Sequence, residues 1–131
     1  MKALDTGVLL ALLEGSPKAR DQVRKLRGAE VATTEANLLE LGYLAAAAPP
    51  RARSARLAAL ERLRQRLTVL PVDPRAMQQA LPRVARLGEK LSPTVAAMLG
   101  ALQAAGCEEL FTDDPRTISG DWGFKVKVVT V

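Results

Sequence analysis

At three points in this chain a capping side chain followed directly by proline opens a helix-like run: Ser16-Pro17, Asp73-Pro74 and Ser92-Pro93. A short oxygen-bearing side chain satisfies the free N–H groups of a first helical turn, and proline fits the position after it because no hydrogen bond is lost there. These starts predict helices opening near residues 17, 74 and 93, the second kinked near Pro82 and ending around Gly88, the third ending at Gly106. Further helices are predicted over Val8–Leu13 behind a Thr6 cap, over Glu35–Ala48 up to the Pro49-Pro50 stop, and over Ala52–Leu67. Between them lie short strand-like runs at Lys2–Leu4, Glu30–Thr33, Thr68–Val72, Glu109–Thr112 and Val126–Val131. Strands alternating with helices from end to end require an α/β fold, with helices covering both faces of the sheet. The predicted architecture is a three-layer sandwich around a central, mainly parallel sheet of four to five strands, as a single domain over residues 1–131.

Composition narrows the chemistry. There is no histidine and one cysteine, Cys107, so histidine bases, Ser-His-Asp and Cys-His nucleophiles, internal disulfides and Cys/His zinc sites are excluded. Cys107 reads as a buried thiol beside a strand. No apolar run approaches the ~18 residues of a membrane span, which predicts a cytoplasmic protein without membrane contact. Catalysis would have to run through carboxylates, hydroxyls, Lys, Arg or a bound metal.

The acids that stand in apolar company are therefore informative. Asp5 ends the apolar start Met1-Lys2-Ala3-Leu4, Glu40 interrupts the apolar helix after the second strand, and Asp113 and Asp114 follow Leu110-Phe111-Thr112. A carboxylate in such surroundings needs a partner, hydrogen bonds or a metal. In an open α/β sheet, sites form beyond the carboxyl ends of strands where strand order reverses, and Asp5, Asp113 and Asp114 all follow strands. Oxygen donors without nitrogen select a hard ion such as Mg²⁺ or Mn²⁺, and that ion can activate water against a phosphodiester. Structural explanations exist for some of these acids. Asp5 with Thr6 fits a helix cap, one of Asp113 and Asp114 fits a turn before Pro115, and Glu35 suits the positive end of its helix. Glu40 has no positive neighbour one turn away to explain it.

These residues resemble the PIN-domain nucleases, and among them the VapC-type toxins, along Ala3 to about Val129. Leu4-Asp5-Thr6 is similar to the family's strand-Asp-Thr/Ser opening. Val31-Ala32-Thr33-Thr34 with Glu40-Leu41 resembles its strand, hydroxyl and helical Glu, and Thr112-Asp113-Asp114 its Thr-x-Asp. Gly123-Phe124-Lys125-Val126 looks like its final strand entry. The resemblance implies Mg²⁺- or Mn²⁺-dependent hydrolysis of RNA by a toxin paired with an antitoxin, and a homodimer. Asp5, Glu40 and Asp114 would be the catalytic and metal-binding acids, Asp113 a further possible ligand, and Thr6 and Thr112 residues that orient them. The chain departs from the family at Leu91-Ser92-Pro93-Thr94-Val95, where another Asp is usual. Thr94 could orient a water there but supplies no charge. The alternative reading is therefore a catalytically weakened PIN-like module that binds RNA or a protein.

Between Arg51 and Arg66 stand six arginines and one acid, Glu61, an excess equal to the chain's whole net charge of +5. Arg51, Arg62 and Arg66 fall opposite Leu57, Leu60 and Leu67 on the helix. They read as a contact surface for phosphate backbones or an acidic partner. With one Trp, one Tyr and two Phe in the chain, base stacking offers little basis for sequence-specific readout of single strands.

Overall fold

The computed structural model describes residues 1–114, 117 and 122–131. The strands are β1 (Lys2–Leu4), β2 (Val31–Thr34), β3 (Thr68–Leu70), β4 (Glu109–Thr112) and β5 (Lys127–Thr130). The helices are α1 (Thr6–Leu13), α2 (Pro17–Arg24), α3 (Glu35–Ala46), α4 (Pro50–Arg66), α5 (Pro74–Leu87) and α6 (Pro93–Ala104). All pairings are parallel, in the order β3-β2-β1-β4-β5.

Side chains alternate across a strand, so each strand feeds both faces of the sheet. Ala3, Ala32 and Leu110 face one core with Leu91, Met98, Leu99 and Leu102. Leu4, Val31 and Phe111 face the other, with Val8, Leu9 and Leu41. Parallel sheets are stable when both faces are covered in this way. Cys107 is buried as expected, and burial pushes its thiol pKa up. Trp122 packs against the first core, as an anchor would, while Pro115, Gly120 and Asp121 lie outside the described residues.

Several boundaries differ from the sequence expectation, each for a local reason. The cap of α1 is Asp5, whose backbone is extended and whose carboxylate accepts from Thr6 N; Thr6 is the first helical residue. Pro50 does more than stop the preceding helix: it occupies the first turn of α4. Strand β3 ends at Leu70 because Pro71 has no N–H for the ladder, and Val72 N donates instead to Glu35 Oε1, 2.8 Å away. Glu35 thus ties down the exit of β3 as well as facing a helix start. Proline 82 lies within α5 without ending it, and Arg83 Nη1 donates to the neighbouring Gln79 carbonyl at 2.7 Å.

Candidate active site

The strand order reverses between β1 and β4, and the register there sets the site. Leu4 pairs with Phe111, and Asp5 N donates to Phe111 O at 3.0 Å, so the next residues, Asp5 and Thr112, lie side by side. On the other flank, Thr33 Oγ1 donates to Leu4 O at 3.0 Å and pins the end of β1.

Asp5 is 7 % exposed, and both of its carboxylate oxygens are occupied. Oδ1 accepts from Thr6 N at 2.7 Å and from Asn37 Nδ2 at 3.1 Å, while Oδ2 accepts from Thr112 Oγ1. The Thr112 hydroxyl also accepts from Asp114 N at 3.0 Å, so one fully buried threonine links the two acids. Burial holds the Asp5 carboxyl above its usual range; hydrogen bonds from Thr112 and Thr6 oppose this, and the charges of Asp114 and Glu40 add to it.

Glu40 lies half-buried on α3, six residues beyond the Thr34 cap. The ion pairs among the described residues are Lys2–Glu109, Arg24–Asp21 and Arg64–Glu61, so none engages Asp5 or Glu40. Glu40 and Asp114 lie near enough for their charges to act on the Asp5 carboxyl, each more weakly than burial does. Asp113 turns the other way. Its exposed carboxylate lies so close to Gly7 that a Cβ there would stand 2.2 Å from Asp113 Oδ1, and it lines a small cavity with Val8, Lys18 and Gln22. Thr94 is exposed in the first turn of α6, and Val95 beside it is buried in the first core.

Asn37 is the site residue that the sequence reading passed over. It is 1 % exposed, and it contacts Asp5, Thr6, Thr34 and Met98. A signal was present: Asn37, Leu41 and Ala45 recur every four residues and form the buried stripe of α3, where a lone polar residue requires partners.

The donor set suits a hard divalent cation: oxygen ligands, a carboxyl raised by burial and further by two acidic charges, and, among the described residues, no cation paired with Asp5 or Glu40. Among the described residues, no three acids converge closely enough to enclose an ion unaided. An ion held here would complete its coordination shell with water, as Mg²⁺ readily does.

On α4, Arg62 and Arg66 are exposed along an open groove of about 310 Å³, facing Leu12, Leu13 and Arg20. The groove continues past Leu13 and Ala59 to Arg56. Arg51 is exposed at the start of the helix, outside this groove. Leu60, Leu63 and Leu67 pack on the second core, but Leu57, expected beside them, is 38 % exposed.

The family model described as PIN domain matches residues 2–120. No curated protein matches the chain by sequence. Among solved structures, VapBC2 of Rickettsia felis bound to a promoter DNA fragment is similar at 12 % identity and TM-score 0.82, covering 99 % of this chain and 98 % of that one. The Mycobacterium tuberculosis toxin–antitoxin structure VapBC-5 is 27 % identical with TM-score 0.68, covering 99 % and 98 %. Mycobacterium tuberculosis VapC20, a Sarcin-Ricin loop cleaving toxin, is 20 % identical with TM-score 0.68, covering 92 % and 95 %.

Proposed function

Because the chain belongs to the PIN-domain family and is of its VapC type, a class whose domains are generally nucleases, we propose that it is an endoribonuclease toxin dependent on Mg²⁺ or Mn²⁺. The observation that carries this reading is Asp5, buried and hydrogen-bonded beside Thr112 at the strand-order reversal, its carboxyl raised chiefly by burial and further by the charges of Asp114 and Glu40. Asp5 and Asp114, linked through Thr112, would hold the cation from the sheet edge, and Glu40 would face it from α3. When bound, a divalent cation supplies positive charge to a phosphoryl group and makes water more acidic. Thr6 and Thr112 keep their acids oriented before substrate arrives, so less reorganisation is needed during reaction. Asp113, turned toward Gly7, is at most a peripheral ligand, and Thr94 at most a water-orienting one.

The partners follow from charge and shape. The groove between α1 and α4, apolar at Leu12 and Leu13 and rimmed by Arg20, Arg62 and Arg66, suits an acidic amphipathic segment of an antitoxin. Arg51 extends the basic surface along which RNA would approach. Leu39 and Tyr43 are 79 % and 74 % exposed on α3, which supports a homodimer that covers them. No described helix is long and apolar enough to cross a membrane, and the protein would meet RNA and antitoxin in the cytoplasm.

The test is cleavage of RNA by the purified protein with Mn²⁺ or Mg²⁺, beside Asp5→Ala and Glu40→Gln. The wild type should cleave, and each variant should lose at least a hundredfold. RNA binding without any cleavage would favour the alternative, a binding module in which apolar Val95 stands in a stretch that carries an acid in active relatives.

A further inference from the structure

Four elements meet at the Asn37 side chain. Its Oδ1 accepts from Thr34 Oγ1 at 2.6 Å, which fixes the amide so that Nδ2 faces the strand ends. Nδ2 then has three acceptors: Asp5 Oδ1 at 3.1 Å, Thr6 Oγ1 at 3.1 Å and Met98 Sδ at 3.3 Å. An amide nitrogen carries two hydrogens, and a thioether is a weak acceptor, so the Asp5 and Thr6 oxygens are the better partners. Asn37 is also neutral. Placed beside the buried Asp5 it supplies a donor without bringing a cation that would compete with a metal, and without adding charge to the Asp114 and Glu40 pair. Any of Lys, Arg, Asp or Glu would fail on one of these counts.

We propose that Asn37 is a positioning residue for the reaction: held by Thr34, it fixes the rotamer of the Asp5 carboxylate so that the lone pair left free on Oδ2 faces the cation. This rests on the divalent-ion reading of the site given above. Groups that orient metal ligands commonly change ion affinity by about 10–100-fold when removed.

The experiment compares Asn37→Val with Asn37→Thr, two side chains of one shape that differ by a hydroxyl donor. Mn²⁺ binding to full-length protein is read from the free-ion electron paramagnetic resonance signal, with thermal unfolding of the ion-free protein recorded alongside. Asn37→Val should weaken Mn²⁺ binding about 10–100-fold, and Asn37→Thr should lie nearer the wild type. A purely structural Asn37 would lower both melting temperatures and leave Mn²⁺ affinity unchanged below them. Equal affinity in wild type and Asn37→Val, or equal loss in both variants, overturns this inference alone. Failure of the wild type to take up Mn²⁺ overturns the metal reading along with it. A measurement on the wild type covers the case of variants that do not fold. The Asn37 side-chain amide signals should shift as Mg²⁺ is added, and signals that stay fixed while Mg²⁺ binds overturn the proposal.

Discussion

Gly100 lies mid-helix in α6, where glycine is unfavourable, and helix propensity alone says that Gly100→Ala should stabilise the protein by about 0.8–1.0 kcal/mol. The packing reverses that sign. A Cβ at residue 100 would stand 2.6 Å from the Ala76 carbonyl oxygen and 3.1 Å from Ala80 Cβ. Carbon and carbonyl oxygen ordinarily approach to about 3.3–3.6 Å, so α5 and α6 would have to separate by several tenths of an ångström or more. The obstructing atom is backbone, and no rotamer change relieves it. Overpacking of this kind costs about 1–3 kcal/mol, which exceeds the propensity gain over most of that range. The net expectation is a loss of up to about 2 kcal/mol, or a fall in melting temperature of up to roughly 10 °C for a chain of this size. Urea unfolding should give a lower midpoint at unchanged slope. Because Met98 on the same helix touches Asn37, the variant should also loosen the support of Asp5 and weaken Mn²⁺ binding. A Gly100→Ala protein more stable than wild type by about 1 kcal/mol would refute the close approach of α5 and α6.

Thermal unfolding should separate the two positions where an acid is missing: Val95→Asp, in the core, should cost about 3 kcal/mol or more. Thr94→Asp, exposed in the first turn of α6, should gain about 0.3–1 kcal/mol from the helix dipole. A second expectation concerns pH. The folded protein holds the Asp5 proton more tightly than the unfolded chain, so this group favours folding most below its ordinary value of 3.8, and that contribution is lost as pH rises through the raised folded value. In urea titrations with chelator, wild-type stability should therefore fall across that window relative to Asp5→Asn, and Mn²⁺ should reverse the fall; identical pH profiles would contradict it. Finally, Arg62→Glu with Arg66→Glu should weaken antitoxin binding at least tenfold in calorimetry at low salt, with the difference shrinking as ionic strength rises.

The fold was legible because its signals are local. Each of the three cap-proline starts opened a helix, and the Lys2–Leu4 and Glu109–Thr112 strands have the predicted bounds. What was hidden depends on contacts across the chain. Asp113 and Asp114 are adjacent and chemically identical, and only the geometry turns the carboxylate of one toward Gly7 and ties the backbone N–H of the other to Thr112. Asn37 was passed over because three of its partners, Thr6, Asp5 and Met98, lie 31, 32 and 61 residues away in sequence. The exposure of Leu39 and Tyr43 was equally invisible, since an apolar helix reads as buried until the face toward the sheet is known. Arg51, Arg62 and Arg66 were correctly read as solvent-facing, but that Arg62 and Arg66 wall a groove with α1 follows from the packing of two helices far apart in sequence.

The central claim is that Asp5, Glu40 and Asp114 share one divalent cation. Anomalous diffraction from a crystal of the protein soaked in Mn²⁺ tests it most directly. The account predicts a peak bounded by these three carboxylates and lost in the Asp5→Ala protein. A peak at Asp113 beside Gly7 instead, or none in a crystal of the wild type with Mn²⁺ in excess, would contradict it.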